Sequence, residues 1–220
     1  MRNTIRALLA VAACAALAGS ASATYVEINQ TSLNLGYVNV YETPANGGGY
    51  LWGSSWGFAD LTAVYDGFSL TLGPNCIGDP DPYWYVDGGA PGHAGNKVLH
   101  ADAYAQVDDG AMAGETVHFR GVVLQNSLTP AHVAKAFVRD FAPDFSSFNE
   151  AIIDLPAGGE FALSLDTVND PARHVQWGFE VQGPCVWVTD LAPYGSVTIG
   201  RLTPVATETT SFGDIKALFR

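Results

Sequence analysis

Between Thr24 and Arg220 the chain has no apolar run near the ~20 residues that a membrane-spanning helix needs, and no helical periodicity before Ser211. Positive charge is also scarce: 10 Lys and Arg stand against 22 Asp and Glu, a net charge of −12. A field of that sign repels nucleic acid and anionic lipid headgroups and removes both from the expected partners. Only three cysteines occur, and the five histidines, His93, His100, His118, His132 and His174, show no H-E-x-x-H or paired-ligand spacing. A zinc centre has no motif to stand on. The histidines read as solvated surface residues, His118 and His174 lying opposite the apolar neighbours of their strands.

What is present begins with the leader. Arg2 and Arg6 precede an apolar stretch from Ala7 to Ala18, and Ala21-Ser22-Ala23 supplies the small residues a signal peptidase accepts. This predicts a signal peptide over 1–23 and a secreted protein, extracellular or periplasmic, with ATP and nicotinamide excluded as partners. A second reading, lipidation of Cys14 within Val11-Ala12-Ala13-Cys14, would anchor the chain to a membrane but leaves only Ala7 to Ala13 as apolar core. Cleavage after Ala23 leaves 197 residues and, with both leader arginines gone, a net charge of −14. That length suits one buried domain and a tail. Its carboxylates serve solubility alone or could hold a hard cation such as calcium. With Cys14 removed, Cys76 and Cys185 form an even pair, expected to be a disulfide in an oxidising compartment.

From Thr24 on, apolar residues recur with period two. Val117, Phe119, Gly121 and Val123 share one face of 116–124; Phe161, Leu163 and Leu165 repeat the scheme in 160–165, and Val175, Trp177, Phe179 and Val181 in 173–181. Further strands are expected at 24–28, 37–41, 60–65, 68–72, 98–107, 133–141, 150–154, 186–190 and 195–199. Short strands broken by Gly, Pro, Asn and Asp, with no long helix to cover them, predict an all-β, antiparallel two-sheet β-sandwich of jelly-roll type over 24–200. Residues 73–96 form the longest irregular stretch, and Tyr83, Trp84 and Tyr85 within it argue against disorder. Residues 201–220 read as a Thr-rich linker followed by a short amphipathic helix at 211–219, opened by Ser211 and Asp214 in a capping pattern. The helix either plugs the sandwich or docks elsewhere. This tail resembles the Ser/Thr-aromatic-Gly-x-Ile-Lys-x-Leu-aromatic endings of some secreted bacterial proteins.

Gly53-Ser54-Ser55-Trp56-Gly57 fits G-x-S-x-G, with Asp170 and His174 downstream. That motif works on a strand-to-helix turn of a mostly parallel sheet, which is not expected here, so a hydrolase elbow is not favoured. Paired carboxylates for glycoside cleavage remain open, because distant strands can bring them together. Aromatic loops carry the sharper expectation. Trp52, Trp56, Tyr83 and Trp84 can stack on the C–H faces of sugar rings, with Asp79, Asp81 and Asp87 taking the hydroxyls; the alternative is that these rings fill core, as Trp177 is expected to.

Gly36-Tyr-Val-Asn-Val-Tyr-Glu42, Gly95-Asn-Lys-Val-Leu99, Ala113-Gly-Glu-Thr-Val-His-Phe119, and His174-Val-Gln-Trp-Gly-Phe-Glu-Val with Val186-Trp-Val-Thr-Asp190 resemble, in order and type, the galactose-binding-like jelly rolls that include many carbohydrate-binding modules. The resemblance spans Gly36 to Gly200. It implies a structural calcium held by Glu42 and Asp190, although Asp190 could equally cap a turn before Ala192-Pro193. Taken together, the expectation is a secreted, non-catalytic carbohydrate-binding protein with an extracellular glycan or cell-surface component as partner. The alternative is a structural or adhesive surface protein that self-associates or binds other proteins.

Overall fold

The structure, a computed structural model, describes residues 22–202. The leader up to residue 21, most of the linker and the helix expected at 211–219 lie outside the described residues. Twelve strands follow in chain order: β1 (Ala23–Val26), β2 (Leu35–Glu42), β3 (Tyr50–Gly57), β4 (Ala63–Asp66), β5 (Ser69–Leu72), β6 (Lys97–Val107), β7 (Thr116–Asn126), β8 (Val133–Phe141), β9 (Phe148–Asp154), β10 (Gly159–Asp166), β11 (His174–Pro184) and β12 (Val197–Gly200). They form two six-stranded sheets, so the expected all-β two-sheet sandwich is the observed architecture.

In the first sheet the order is β1-β7-β12-β5-β4, with β10 along the other edge of β7. Strand β1 runs parallel to β7 from Thr116 to Phe119, and β12 takes over that edge beyond it. The second sheet is antiparallel throughout, in the order β3-β2-β6-β11-β8-β9. Alternation decides which side of each strand is buried. Val175, Trp177, Phe179 and Val181 of β11 meet Val117, Phe119 and Val123 of β7 and Phe161 and Leu163 of β10 in the main core. At its centre the Phe179 ring lies 5.2 Å from Phe119 and 5.9 Å from Phe161. Gly121 is on this face because Phe161 needs the space: a Cβ there would sit 2.7 Å from the Phe161 ring.

A second, smaller core occupies the rest of the inner face of β2 and β6. Val38, Val40, Leu99 and Ala101 are covered by Ile77, Tyr85 and Cys185, with Trp52, Trp56, Trp84 and Trp187 half-buried around them. The irregular 73–96 segment is thus a packed cover. Tyr85 fixes it: fully buried, its hydroxyl donates to Ile77 O (2.5 Å) and is 3.0 Å from Val186 O. Burial pushes this phenol upward, so it stays a donor at all ordinary pH. Replacing Tyr85 with phenylalanine is expected to cost about 1–3 kcal/mol, because the buried Ile77 and Val186 carbonyls lose the one O–H they share while the packing volume is kept. Urea unfolding checks this; a cost within error of zero would mean that other donors reach those carbonyls.

Several expectations are corrected. Residues 50–57 form β3, not a loop: Trp52 and Trp56 share its inner face while Gly53, Ser54, Ser55 and Gly57 disguise it. The G-x-S-x-G run is therefore extended strand, with no elbow. The strand expected at 186–190 reduces to a bridge between Val186 and Cys76, and the chain then turns through Trp187 to Tyr194. Cys76 and Cys185 carry free thiols rather than the expected disulfide. Cys76 stands opposite Val186, and the Cys185 thiol is turned to the Trp84 carbonyl, 2.8 Å away. His132 is not a surface residue: it is 3% exposed, its Nε2 is 3.0 Å from Pro184 O, and burial lowers its pKa. Gly183 makes this possible, since any Cβ there would run into the His132 ring.

Candidate functional site

The residues that alternate with the inner face of the second sheet do not form an ordinary solvated surface. They line a groove of about 820 Å³, a size suited to a small ligand or several sugar units. Strand β2 contributes Tyr37, Asn39 and Tyr41; β6 contributes His100, Asp102, Tyr104 and Gln106; β11 contributes Gln176, Glu180 and Gln182. Strands β8 and β9 supply Lys135, Arg139, Phe141, Phe148, Glu150 and Ile152 on the far side. Gly178 lies between Tyr104 and Phe137 in register, and a side chain there would collide with the Ala103 carbonyl.

Arg139 organises the floor. Its guanidinium lies 3.8 Å from the centre of the buried Phe137 ring. Its Nε donates to Glu150 Oε1 (2.6 Å), its Nη1 to Asp102 Oδ2 (2.7 Å) and its Nη2 to Glu180 Oε2 (2.9 Å). The planar fork suits this task because it spreads one charge over three directions. Asp102 and Glu180 are cross-strand partners, both nearly excluded from solvent. Burial pushes the Asp102 carboxyl well above the usual range, with Arg139 opposing it. Burial would raise Glu180 as well, but Arg139, Gln182 and His100 together bring it below its ordinary value. Asp102 Oδ1 is buried without a partner. Burial pushes the neighbouring His100 imidazole down, so it is mostly neutral near pH 7. Around this centre Gln176 Nε2 donates to Gln106 Oε1 (2.6 Å), Gln182 Nε2 donates to Glu180 Oε1 (2.5 Å), and the Tyr41 ring lies 4.4 Å from His100. The groove therefore combines aromatic faces with amide, carboxylate and phenol groups at fixed positions.

No family model and no curated protein matches this chain. A solved structure from work on the promiscuous specificity of carbohydrate-binding modules of the β-sandwich superfamily overlaps 82% of this chain and 92% of its own, at 11% identity and a TM-score of 0.31. Likeness at that level supports no argument about function. The side chains must carry it.

The residues expected to bind ligand lie elsewhere. Trp52 and Trp56 point to the inner face, opposite the groove. Trp52 Nε1 donates to the Tyr83 hydroxyl (2.8 Å), and Trp84 meets Trp52 and Tyr83 edge-on at 6.0 and 4.8 Å. Asp79 and Asp81 accept from the backbone N–H groups of Asp81 and Tyr83, and Asp87 adopts a left-handed φ of 62° in a turn. Trp52, Tyr83 and Trp84 thus contact one another, and Asp79 and Asp81 bond within their own loop. Glu42 and Asp190 also have separate partners: Lys97 Nζ lies 3.2 Å from Glu42, while Asp190 accepts from Gly92 N (2.6 Å). Among the described residues no group of three or more His, Cys, Asp or Glu side chains is arranged to hold a metal ion. Among them, too, no helix is long and apolar enough to cross a membrane.

The groove had a signal in the sequence. Tyr37-x-Asn39-x-Tyr41 and His100-x-Asp102-x-Tyr104-x-Gln106 alternate as strictly as the apolar residues between them. Long polar and aromatic side chains in such a series differ from the His118, Arg120 and Val122 series on the outer side of β7.

Proposed function

We propose that this protein is secreted and binds a carbohydrate chain in the groove of the second sheet, without cleaving it. The observation that carries the reading is the groove itself: rings that can stack on C–H faces, interleaved with amides and carboxylates that can pair with hydroxyls. The leader pattern supports an extracellular or periplasmic setting, where glycans are the abundant ligands. All three carboxylates of the floor are engaged by Arg139, which favours holding a ligand over proton transfer to it.

The test is retention of the protein on insoluble cellulose, xylan, mannan and chitin, repeated with chelator to examine the calcium expectation. Tyr41→Ala with Gln182→Ala is expected to cut retention at least about tenfold, since each lost contact is worth roughly 1 kcal/mol. Trp52→Ala and Trp84→Ala are expected to lower the melting temperature and leave retention in place. The opposite pattern would move the ligand to the aromatic cover. No retention on any polysaccharide, with concentration-dependent assembly, would favour the adhesive alternative.

One observation favours a second reading, glycoside hydrolysis: Asp102 and Glu180 stand opposite each other in the groove, and burial raises the Asp102 carboxyl while Arg139, Gln182 and His100 lower Glu180, so the environment pushes the two apart as an acid and its partner require. Release of reducing ends from the retained polysaccharide, lost in Glu180→Gln, would establish it.

A further inference from the structure

Where β8 turns into β9, the groove ends in a wall of rings. Phe148 lies 4.9 Å from Phe141, Phe145 lies 5.5 Å from Phe141, and the Phe145 ring stacks on His174 at 4.3 Å and 7°. Phe145 occupies the tip of the connection with a φ of 58°, a left-handed conformation that glycine or asparagine adopts far more readily than a bulky side chain. Half of its surface and half of that of Phe148 is exposed, and both line the groove. A turn serving only to connect two strands has no use for a large ring in that conformation.

The tip is also held firmly. Ala142 N donates to Ser147 O (2.8 Å), Phe145 N donates to Ala142 O (2.9 Å), and Asp144 Oδ1 accepts from Ser146 N and Oγ at 3.1 and 2.6 Å. From below, His174 Nδ1 faces Asp108 Oδ1 (2.7 Å) and its Nε2 faces Pro143 O (3.2 Å). Both neighbours are acceptors, so both ring nitrogens donate only when the imidazole is charged. The Phe145 face then lies against a cation.

We propose that Phe145 and Phe148 are the stacking surface for a pyranose ring at this end of the bound chain, with His174 as the positioning residue beneath them. The proposal rests on the glycan reading of the groove. It adds an end subsite built from strained backbone, and it assigns His174 a role in keeping that subsite in place.

The experiment uses the full secreted chain and titrates the soluble hexasaccharide of whichever polysaccharide retains it. Glycine accepts the backbone of residue 145, so Phe145→Gly is expected to keep or raise the melting temperature while weakening hexasaccharide binding about five- to tenfold. Phe148→Ala should weaken it in the same direction. Undiminished affinity in Phe145→Gly, in a protein whose wild type binds, overturns the subsite and leaves the groove reading intact; a wild type that binds none of the four polysaccharides removes both.

A pH series tests His174. The groups facing it are Asp108, itself bonded by Gln106, the Pro143 carbonyl and the Phe145 ring; Arg173 beside it is taken by Asp140. The hydrogen bond to Asp108 raises the His174 pKa above its ordinary value. Its contribution is therefore complete below about pH 6.5 and fades as the pH rises through the higher folded value. Hexasaccharide affinity should fall over that window in the wild type and be flat in His174→Gln. A flat wild-type profile would remove His174 from the proposal.

Discussion

Replacing Arg139 with alanine is expected to remove about 3–5 kcal/mol of folding stability, the cost of leaving buried carboxylates without their cation. Asp102 and Glu180 are 4% and 3% exposed and stand opposite each other on adjacent strands. Without the guanidinium Asp102 would face the Glu180 carboxylate with no donor of its own, and Glu180 would keep only Gln182 and His100 beside it. Arg139→Lys should recover little, since one ammonium cannot donate along the three directions that reach Asp102, Glu150 and Glu180. Arg139→Met combined with Asp102→Asn and Glu180→Gln should recover most of the loss, because removing the charges together removes the penalty.

The pH dependence separates this explanation from simple loss of packing. In the wild type Glu180 titrates below its ordinary value of 4.5, so its contribution is present above that value and lost as the pH falls through the folded pKa. In Arg139→Ala both buried carboxyls shift upward, and the penalty then vanishes as the pH drops toward about 4. The stability gap in urea titrations should therefore be widest near pH 7 and shrink on acidification. A gap that stays constant from pH 7 to 4 would mean that Arg139 acts through its contact with Phe137 alone.

Much of the fold was readable because a half-buried strand writes its burial into every second residue. Strands β6, β7 and β11 have 11 residues each, long enough for the alternation of Val117 with His118 or Phe179 with Glu180 to be unmistakable. Strand β3 escaped because its burial rests on only two side chains, Trp52 and Trp56, in a background of glycine and serine that elsewhere marks turns. Asp140 shows a different limit. It is fully buried on the inner side of β8, where alternation calls for an apolar residue, and it is satisfied by Arg173 Nε at 2.7 Å and Val168 N at 2.9 Å. No local pattern announces partners about thirty residues away.

The groove failed to emerge for the same reason on a larger scale. Each strand displays its own share, Tyr37 with Asn39 and Tyr41, or His100 with Asp102, Tyr104 and Gln106. What makes these shares one site is strand order: β11 inserts between β6 and β8 and brings Glu180 to Asp102 and Gln176 to Arg139. Composition cannot express that adjacency. The aromatic segment 83–85 stands out in the sequence because its rings are contiguous, yet Tyr85 is interior and Trp84 rests against Trp52 and Tyr83.

Replacing Phe179 with alanine is expected to cost about 3–5 kcal/mol, the range for emptying a fully buried aromatic site. Its ring is 0% exposed and lies against Phe119 and Phe161 of the opposite sheet, so the cavity would open at the joint between sheets rather than at an edge that can collapse. Gly121 cannot fill it, and Phe161 already occupies the space that glycine leaves. Urea unfolding followed by tryptophan fluorescence should show a lower midpoint with little change in slope; a loss under about 1 kcal/mol would mean that the sheets close over the missing ring. The same substitution should reach the ligand face. Gly178 and Glu180 flank Phe179 along β11, and their backbone is placed by how that ring seats in the core. Polysaccharide retention should therefore weaken in Phe179→Ala even where the variant remains folded, and Phe179→Leu, which leaves a smaller cavity, should weaken it less. Equal retention by both variants at matched folded fraction would separate the groove from the core beneath it.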